Sequence, residues 1–176
     1  LTVTKTPVDE EELTDAVLKT LNAAIDEFIA MRACEGAKMR ADVLSRADLI
    51  LENVSYIEKR SPETVKEYND KLLERMKDIL GDTSVDEARL LTEAAIFADK
   101  IAVAEETVRL RSHIDQLRTM LDSDDAIGRK LDFLVQEINR ESNTIGSKAQ
   151  NVDIARRVID IKAEVEKIRE QIQNIE

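Results

Sequence analysis

Ile154-Ala-Arg-Arg-Val158-Ile-Asp-Ile161-Lys-Ala-Glu-Val165-Glu-Lys-Ile168-Arg-Glu-Gln-Ile172-Gln-Asn-Ile175 is the stretch that decides the fold. Its branched aliphatic residues recur at alternating steps of four and three. That spacing lines one face of an α-helix for packing against other helices, whereas a strand would need alternation in twos. The same alternation runs through Val103, Thr107, Leu110, Ile114, Leu117 and Leu121. The fold expected from these two seams is all-α: long antiparallel helices forming a helical bundle with coiled-coil-like packing, or contact with another subunit.

Working outward, the rest of the 176-residue chain suits the same class. It has only 4 Gly and 2 Pro, too few to punctuate a strand-rich fold. Hydrophobic residues make up 43% and aromatics 3%, with no tryptophan, so aliphatic side chains must build the core. A first helix is expected from near Asp9 past Phe28, with Leu13, Val17, Leu21, Ala24, Ile25 and Phe28 as one apolar stripe. Gly36 then precedes a second set, Leu44, Ala47, Leu51, Val54 and Ile57, on one long helix or two consecutive ones. Ser61-Pro62-Glu63 reads as an N-cap with proline in the first turn, opening a helix that ends at Gly81. Ser84 and Glu87 have capping-box spacing, and Leu90, Leu91, Ala94, Ala95 and Phe97 mark the buried side of the helix they open. A break is expected around Asp99–Val103 and a polar turn at 122–125. The domain division read from this is a helical hairpin over 1–80, continuing from a region upstream, and a C-terminal helical domain over 81–176.

The formal net charge is -11, which excludes nucleic-acid binding through bulk charge. The acid is uneven, however. Residues 1–28 carry seven acids against Lys5 and Lys19, whereas 128–157 carry Arg129, Lys130, Arg140, Lys148, Arg156 and Arg157 against four acids. The lone cysteine, Cys34, cannot form an internal disulfide and reads as a small core side chain in a reducing compartment. No apolar run approaches the roughly 18 residues of a membrane helix. No membrane association is expected, and the location expected is cytoplasmic. Neither a glycine-rich phosphate loop, a zinc cysteine cluster nor a Gly-x-Ser-x-Gly elbow is found, so no small organic cofactor is expected. The chain starts at Leu1 rather than methionine, as a processed or partial chain would.

Helical geometry divides residues 129–145 into three faces. Leu131, Leu134, Val135, Ile138 and Ile145 form a core face. Glu137 and Glu141 lie beside it with Lys130 on the same flank; four residues apart, two carboxylates can share one divalent cation, or can simply form a solvated flank. Arg129, Phe133 and Arg140 gather opposite the core, where the ring can stack an unpaired base or be covered by another subunit. His113, the only histidine, sits at the border of its seam near Glu106 and Arg109, suited to metal, to proton transfer or to plain packing. One histidine excludes a two-histidine ribonuclease mechanism within a single chain.

The string Gly128-Arg-Lys-Leu-Asp-Phe-Leu-Val-Gln-Glu-Ile-Asn-Arg-Glu-Ser-Asn-Thr-Ile-Gly-Ser-Lys148 resembles the signature of the YicC/YloC family of bacterial proteins. Asp86-Glu-Ala-Arg-Leu-Leu-Thr-Glu93, Ala104-Glu-Glu-Thr-Val-Arg-Leu-Arg-Ser-His113 and Gln171-Ile-Gln-Asn-Ile-Glu176 fit the same family in order and spacing. The resemblance implies a cytoplasmic endoribonuclease that assembles as a ring-like hexamer and depends on a divalent cation, manganese favoured over magnesium. It also implies an N-terminal α/β region that this chain largely lacks and that activity would need. On that reading Glu106, His113, Glu137 and Glu141 are the catalytic candidates and Glu105, Glu106, Glu137 and Glu141 the metal ligands. Arg109, Arg129, Lys130, Phe133, Arg140 and Lys148 would hold RNA. The rival reading is a non-catalytic helical oligomerisation or adaptor module, motivated by the seams and the acidity.

Overall fold

The computed structural model describes residues 9–80, 87–123 and 127–173. They form five helices and no strand: α1 (Glu10–Leu80), α2 (Glu87–Ile101), α3 (Ala104–Leu121), α4 (Gly128–Lys148) and α5 (Val152–Ile172). The all-α expectation holds. The chain divides into two compact units, residues 1–41 and 42–176.

In the first unit, Asp9 Oδ1 accepts the backbone N–H groups of Glu11 and Glu12 at 3.0 and 3.3 Å, capping donors that α1 itself cannot satisfy. The expected stripe exists but is not buried: Leu13, Val17, Leu21, Ile25 and Phe28 are all exposed. Cys34 is exposed too, which corrects its reading as a core residue. Gly36 does not end the helix; no neighbour lies within 4 Å of the position its Cβ would take. A single glycine costs an α-helix only about 1 kcal/mol, which the flanking turns absorb.

Where a hairpin was expected, residues 10–80 form one uninterrupted helix. Pro62 therefore sits inside α1 instead of opening a new helix, a correction to the Ser61-Pro62-Glu63 reading. Proline removes the bond to the carbonyl of residue 58 and crowds it. Two features offset that. Val54, Ile57 and Thr64 stay buried on one face across the proline. Arg60 pairs with Glu63 at 3.1 Å and Glu67 at 2.7 Å, tying the turn before Pro62 to the turns after it.

The second unit is a four-helix bundle of α1 (from Asp42 on), α3, α4 and α5. Arg46 meets Glu164 at 2.9 Å while Arg157 donates to Asn53 at 3.2 Å, so α5 runs antiparallel to α1. Asp48 pairs with Arg118, and Glu58 with Arg111 at 2.7 Å, so α3 does likewise. Both expected seams are buried, from Val103 to Leu117 on α3 and from Ile154 to Ile172 on α5; Ile175 lies outside the described residues. On α1 the buried track is Val43, Ala47, Ile50, Val54 and Ile57. Leu44 and Leu51, expected in that seam, are only half-buried, because the true track starts one residue earlier. Fully burying each such aliphatic side chain contributes about 1.5–3 kcal/mol, so these seams dominate the stability.

Two details set the remaining geometry. Asn151 Oδ1 caps α5 by accepting from Asp153 and Ile154, which allows a three-residue link after α4. A Cβ on Gly146 would stand 3.1 Å from Val158 Cγ1, so glycine permits the close approach of α4 and α5. The break near 99–103 is real, α2 ending at Ile101 and α3 starting at Ala104. Phe97 stacks on Tyr68 of α1 with ring centroids 3.4 Å apart. Leu91 and Ala95 are exposed, correcting their assignment to the buried side. The Ser84 cap and the side chain of Leu90 lie outside the described residues. No helix among the described residues is long and apolar enough to cross a membrane.

The inter-helix ion pairs make the bundle acid-sensitive. Arg111's hydrogen bond holds the Glu58 carboxyl below its ordinary value against the opposing effect of burial. Lys167 on the same helix, then Arg46 across from α1, do the same for Glu164. A carboxyl whose pKa is depressed on folding contributes stability above its unfolded pKa and loses it as pH falls through the folded value. Urea denaturation should therefore show a falling midpoint below the ordinary glutamate pKa of 4.5, and Arg111→Met should flatten part of that slope.

Candidate functional site

The α3–α4 pair positions the candidate residues. Lys148 Nζ lies 2.7 Å from Glu106 Oε1 and donates to the Ala102 carbonyl at 2.9 Å. Arg109 Nη1 lies 3.7 Å from Glu141 Oε1. The helices are thus antiparallel, with 106 opposite 148 and 109 opposite 141. Continuing that register places residue 113 opposite 137–141. His113, Glu137 and Glu141 accordingly offer ligand atoms that all lie within 4.8 Å of one another.

The three members differ in setting. Glu141 is buried, a carboxylate taken almost wholly out of water. Glu137 is half-buried and takes a 3.3 Å contact from the exposed Arg140. His113 is half-buried, and its Nδ1 is fully enclosed with no hydrogen-bond partner among the described residues. An enclosed ring nitrogen without a partner is costly unless something outside the protein uses it. Two carboxylates and one imidazole form a donor set suited to a divalent cation that accepts both O and N ligands.

Of the other expected residues, Glu106 is not in this group. It is buried and engaged by Lys148, while its Oε2 has no partner among the described residues. Burial pushes the Glu106 carboxyl up, but the Lys148 hydrogen bond, a backbone N–H and the charges of Lys148 and Arg109 together hold it below its ordinary value. It stays ionised. Glu105 is exposed and pairs with Arg109, one turn along α3. Lys148, expected to bind RNA, is committed to Glu106 and the Ala102 carbonyl. Arg129, Lys130, Phe133 and Arg140 are all exposed on α4, Phe133 by 64%.

The first turn of α4 holds no acid, and Ile127 supplies no side-chain cap. Arg129 and Lys130 therefore add to the positive end of the helix dipole instead of opposing it, an arrangement suited to phosphate. The sequence grouped His113 with Glu106, Glu137 and Glu141 as catalytic candidates; the α3–α4 register keeps His113 with Glu137 and Glu141 and leaves Glu106 out. Sliding the α3 seam antiparallel along the α4 core face would have separated Glu106 from the other three.

Residues 57–176 match the family model described as endoribonuclease YicC-like, C-terminal. The chain is 47% identical over 173 residues to a protein of Clostridioides difficile named probable endoribonuclease YicC, covering 96% of this chain and 59% of the relative. It is 37% identical over 171 residues to the protein of that name from Haemophilus influenzae, covering 95% and 59%. The chain thus spans 59% of the length of these curated relatives.

The Glu106–Lys148 pair can be tested by itself. Removing one partner of a buried pair costs about 3–5 kcal/mol, less here because the Lys148 side chain is 30% exposed. Lys148→Met should lower the unfolding free energy by roughly 2 kcal/mol, and adding Glu106→Gln should restore much of it. An unchanged urea midpoint in the single variant would show that the pair does not hold the register.

Proposed function

This chain belongs to the YicC-like endoribonuclease family, and on that premise we propose that it carries the catalytic carboxylates and the RNA-facing surface of a divalent-metal-dependent endoribonuclease. The observation that carries this reading is the convergence of His113, Glu137 and Glu141 across two helices, with an enclosed imidazole nitrogen that has no partner among the described residues. Those three residues would hold the cation, manganese or magnesium, with manganese favoured by the family resemblance; the two carboxylates suit either ion. A cation bound there would polarise a phosphoryl oxygen and make a water more acidic.

The chain's own residues account for the rest. Glu137 and Glu141 supply negative charge fixed by a packed helix and not by a loop, so the group needs little rearrangement. Ser142, beside Glu141, turns its hydroxyl back to the Ile138 carbonyl at 2.7 Å and leaves the carboxylates uncontested. Arg129, Lys130 and Arg140 would take RNA phosphates, and the exposed Phe133, one turn before Glu137, would stack a base. Glu106 and Lys148 hold α3 and α4 in register, a positioning role in place of the ligand and RNA-contact roles expected of them. Glu105 acts through Arg109. RNA as substrate and the lone cysteine support action in the cytoplasm.

Assembly completes the proposal. The stripe Leu13, Val17, Leu21, Ile25 and Phe28 exposes large apolar side chains along successive turns of one helix, more than scattered surface residues would. We propose it as a surface covered in an oligomer, the ring implied by the resemblance. The rival adaptor reading draws on the same stripe, but it leaves the enclosed His113 nitrogen without a role.

Two measurements check these readings. In the full-length protein, manganese-stimulated cleavage of a structured RNA should fall at least about 100-fold in Glu141→Gln and in His113→Ala; full activity in either removes that residue from the site. Light scattering should show an oligomer that dissociates when Leu21 and Phe28 are both changed to glutamate, whereas a wild-type monomer would end the assembly reading.

A further inference from the structure

Arg109 stands between two carboxylates of unequal character. Its Nη2 makes a close contact with Glu105, exposed on its own helix, while its Nη1 lies 3.7 Å from the buried Glu141 on α4. The second distance exceeds the roughly 2.7–2.9 Å of a formed charge-assisted hydrogen bond. By contrast, Lys148 holds Glu106 at 2.7 Å. The Arg109 side chain is 51% exposed and Glu141 only 5%, so the arginine can move while the carboxylate cannot. Glu141 is also the member of the His113, Glu137, Glu141 group that water screens least.

A buried carboxylate needs a positive charge, and two cations compete if both approach the same oxygen. We propose that Arg109 is the internal counter-ion of this group. It neutralises Glu141 when no cation is bound, and a divalent cation displaces it to the rim, where Glu105 retains it within reach of an RNA phosphate. The inference rests on the metal-site reading above and adds a regulatory step to it: cation occupancy frees the guanidinium for substrate. Cation binding and RNA binding then reinforce one another through one side chain. Because an arginine fork matches phosphate geometry, the freed group donates to two non-bridging oxygens of one phosphate.

The test is direct manganese titration of the full-length protein, following the loss of the free Mn²⁺ paramagnetic signal, with and without a non-cleavable RNA. Arg109→Gln removes the competitor, so manganese alone should bind about tenfold more tightly, while RNA binding weakens and no longer responds to manganese. Arg109→Lys keeps the charge but loses the fork, and should shift manganese affinity less. Arg118→Gln, which removes an equal charge from the pair with Asp48, should leave it unchanged. Equal or weaker manganese binding in Arg109→Gln overturns the counter-ion role, since a merely structural arginine would give that result. Wild-type manganese affinity in Glu141→Gln would instead overturn the site itself, so the two failures are distinguishable.

Discussion

Everything distinctive in this molecule follows from the antiparallel register of α3 against α4. The register is set by two kinds of contact that agree. The apolar seams of the two helices bury Leu110, Ile114, Leu131, Leu134 and Ile138, which supplies the energy but tolerates sliding by a turn. The Glu106–Lys148 pair at one end supplies direction and phase, because among the described residues the buried carboxylate has no other cation at that distance. A slide of one turn would leave Glu106 uncompensated. The same phase puts His113 opposite Glu137 and Glu141, so the stability of the bundle and the composition of the site are one problem.

The carboxylates of the site are costly for the same reason that they are useful. Glu141 is buried beside another carboxylate, and among the described residues the cation paired with it is a loose, half-exposed arginine. Glu106, in contrast, is held firmly. The difference separates two acids that are both buried and both on the α3–α4 interface. One is held at 2.7 Å by a lysine, and the other has its arginine 3.7 Å away.

Around this pair, α1 and α5 close the bundle, and α1 shows how tertiary packing overrides a local signal. Ser61-Pro62-Glu63 has the pattern of a helix start, yet the helix runs through it. Burial at Val54, Ile57 and Thr64, with Arg60 bridging to Glu63 and Glu67, outweighs the lost bond and the proline's crowding. The start of α1, from Glu10 to Phe28, shows the converse. Its apolar stripe is as regular as the seams of α3 and α5, but periodicity reports that a face is apolar without naming what covers it.

Much of the fold was legible in the sequence because heptad spacing and helix propensity are local properties. The seams of α3 and α5, the core face of α4, the break before α3 and the all-α class needed nothing beyond residue order. The α1 seam was read one residue late, since Val43 and Ile50 share a track with Ala47 that Leu44 and Leu51 overlap. Glu137 and Glu141 were legible as a pair because four-residue spacing on one helix is itself a spatial statement. Their meeting with His113, the commitment of Lys148 to Glu106 and the divided allegiance of Arg109 were not. Each depends on the phase between two helices, and that phase is decided by burial and charge pairing in three dimensions, which no single helix encodes.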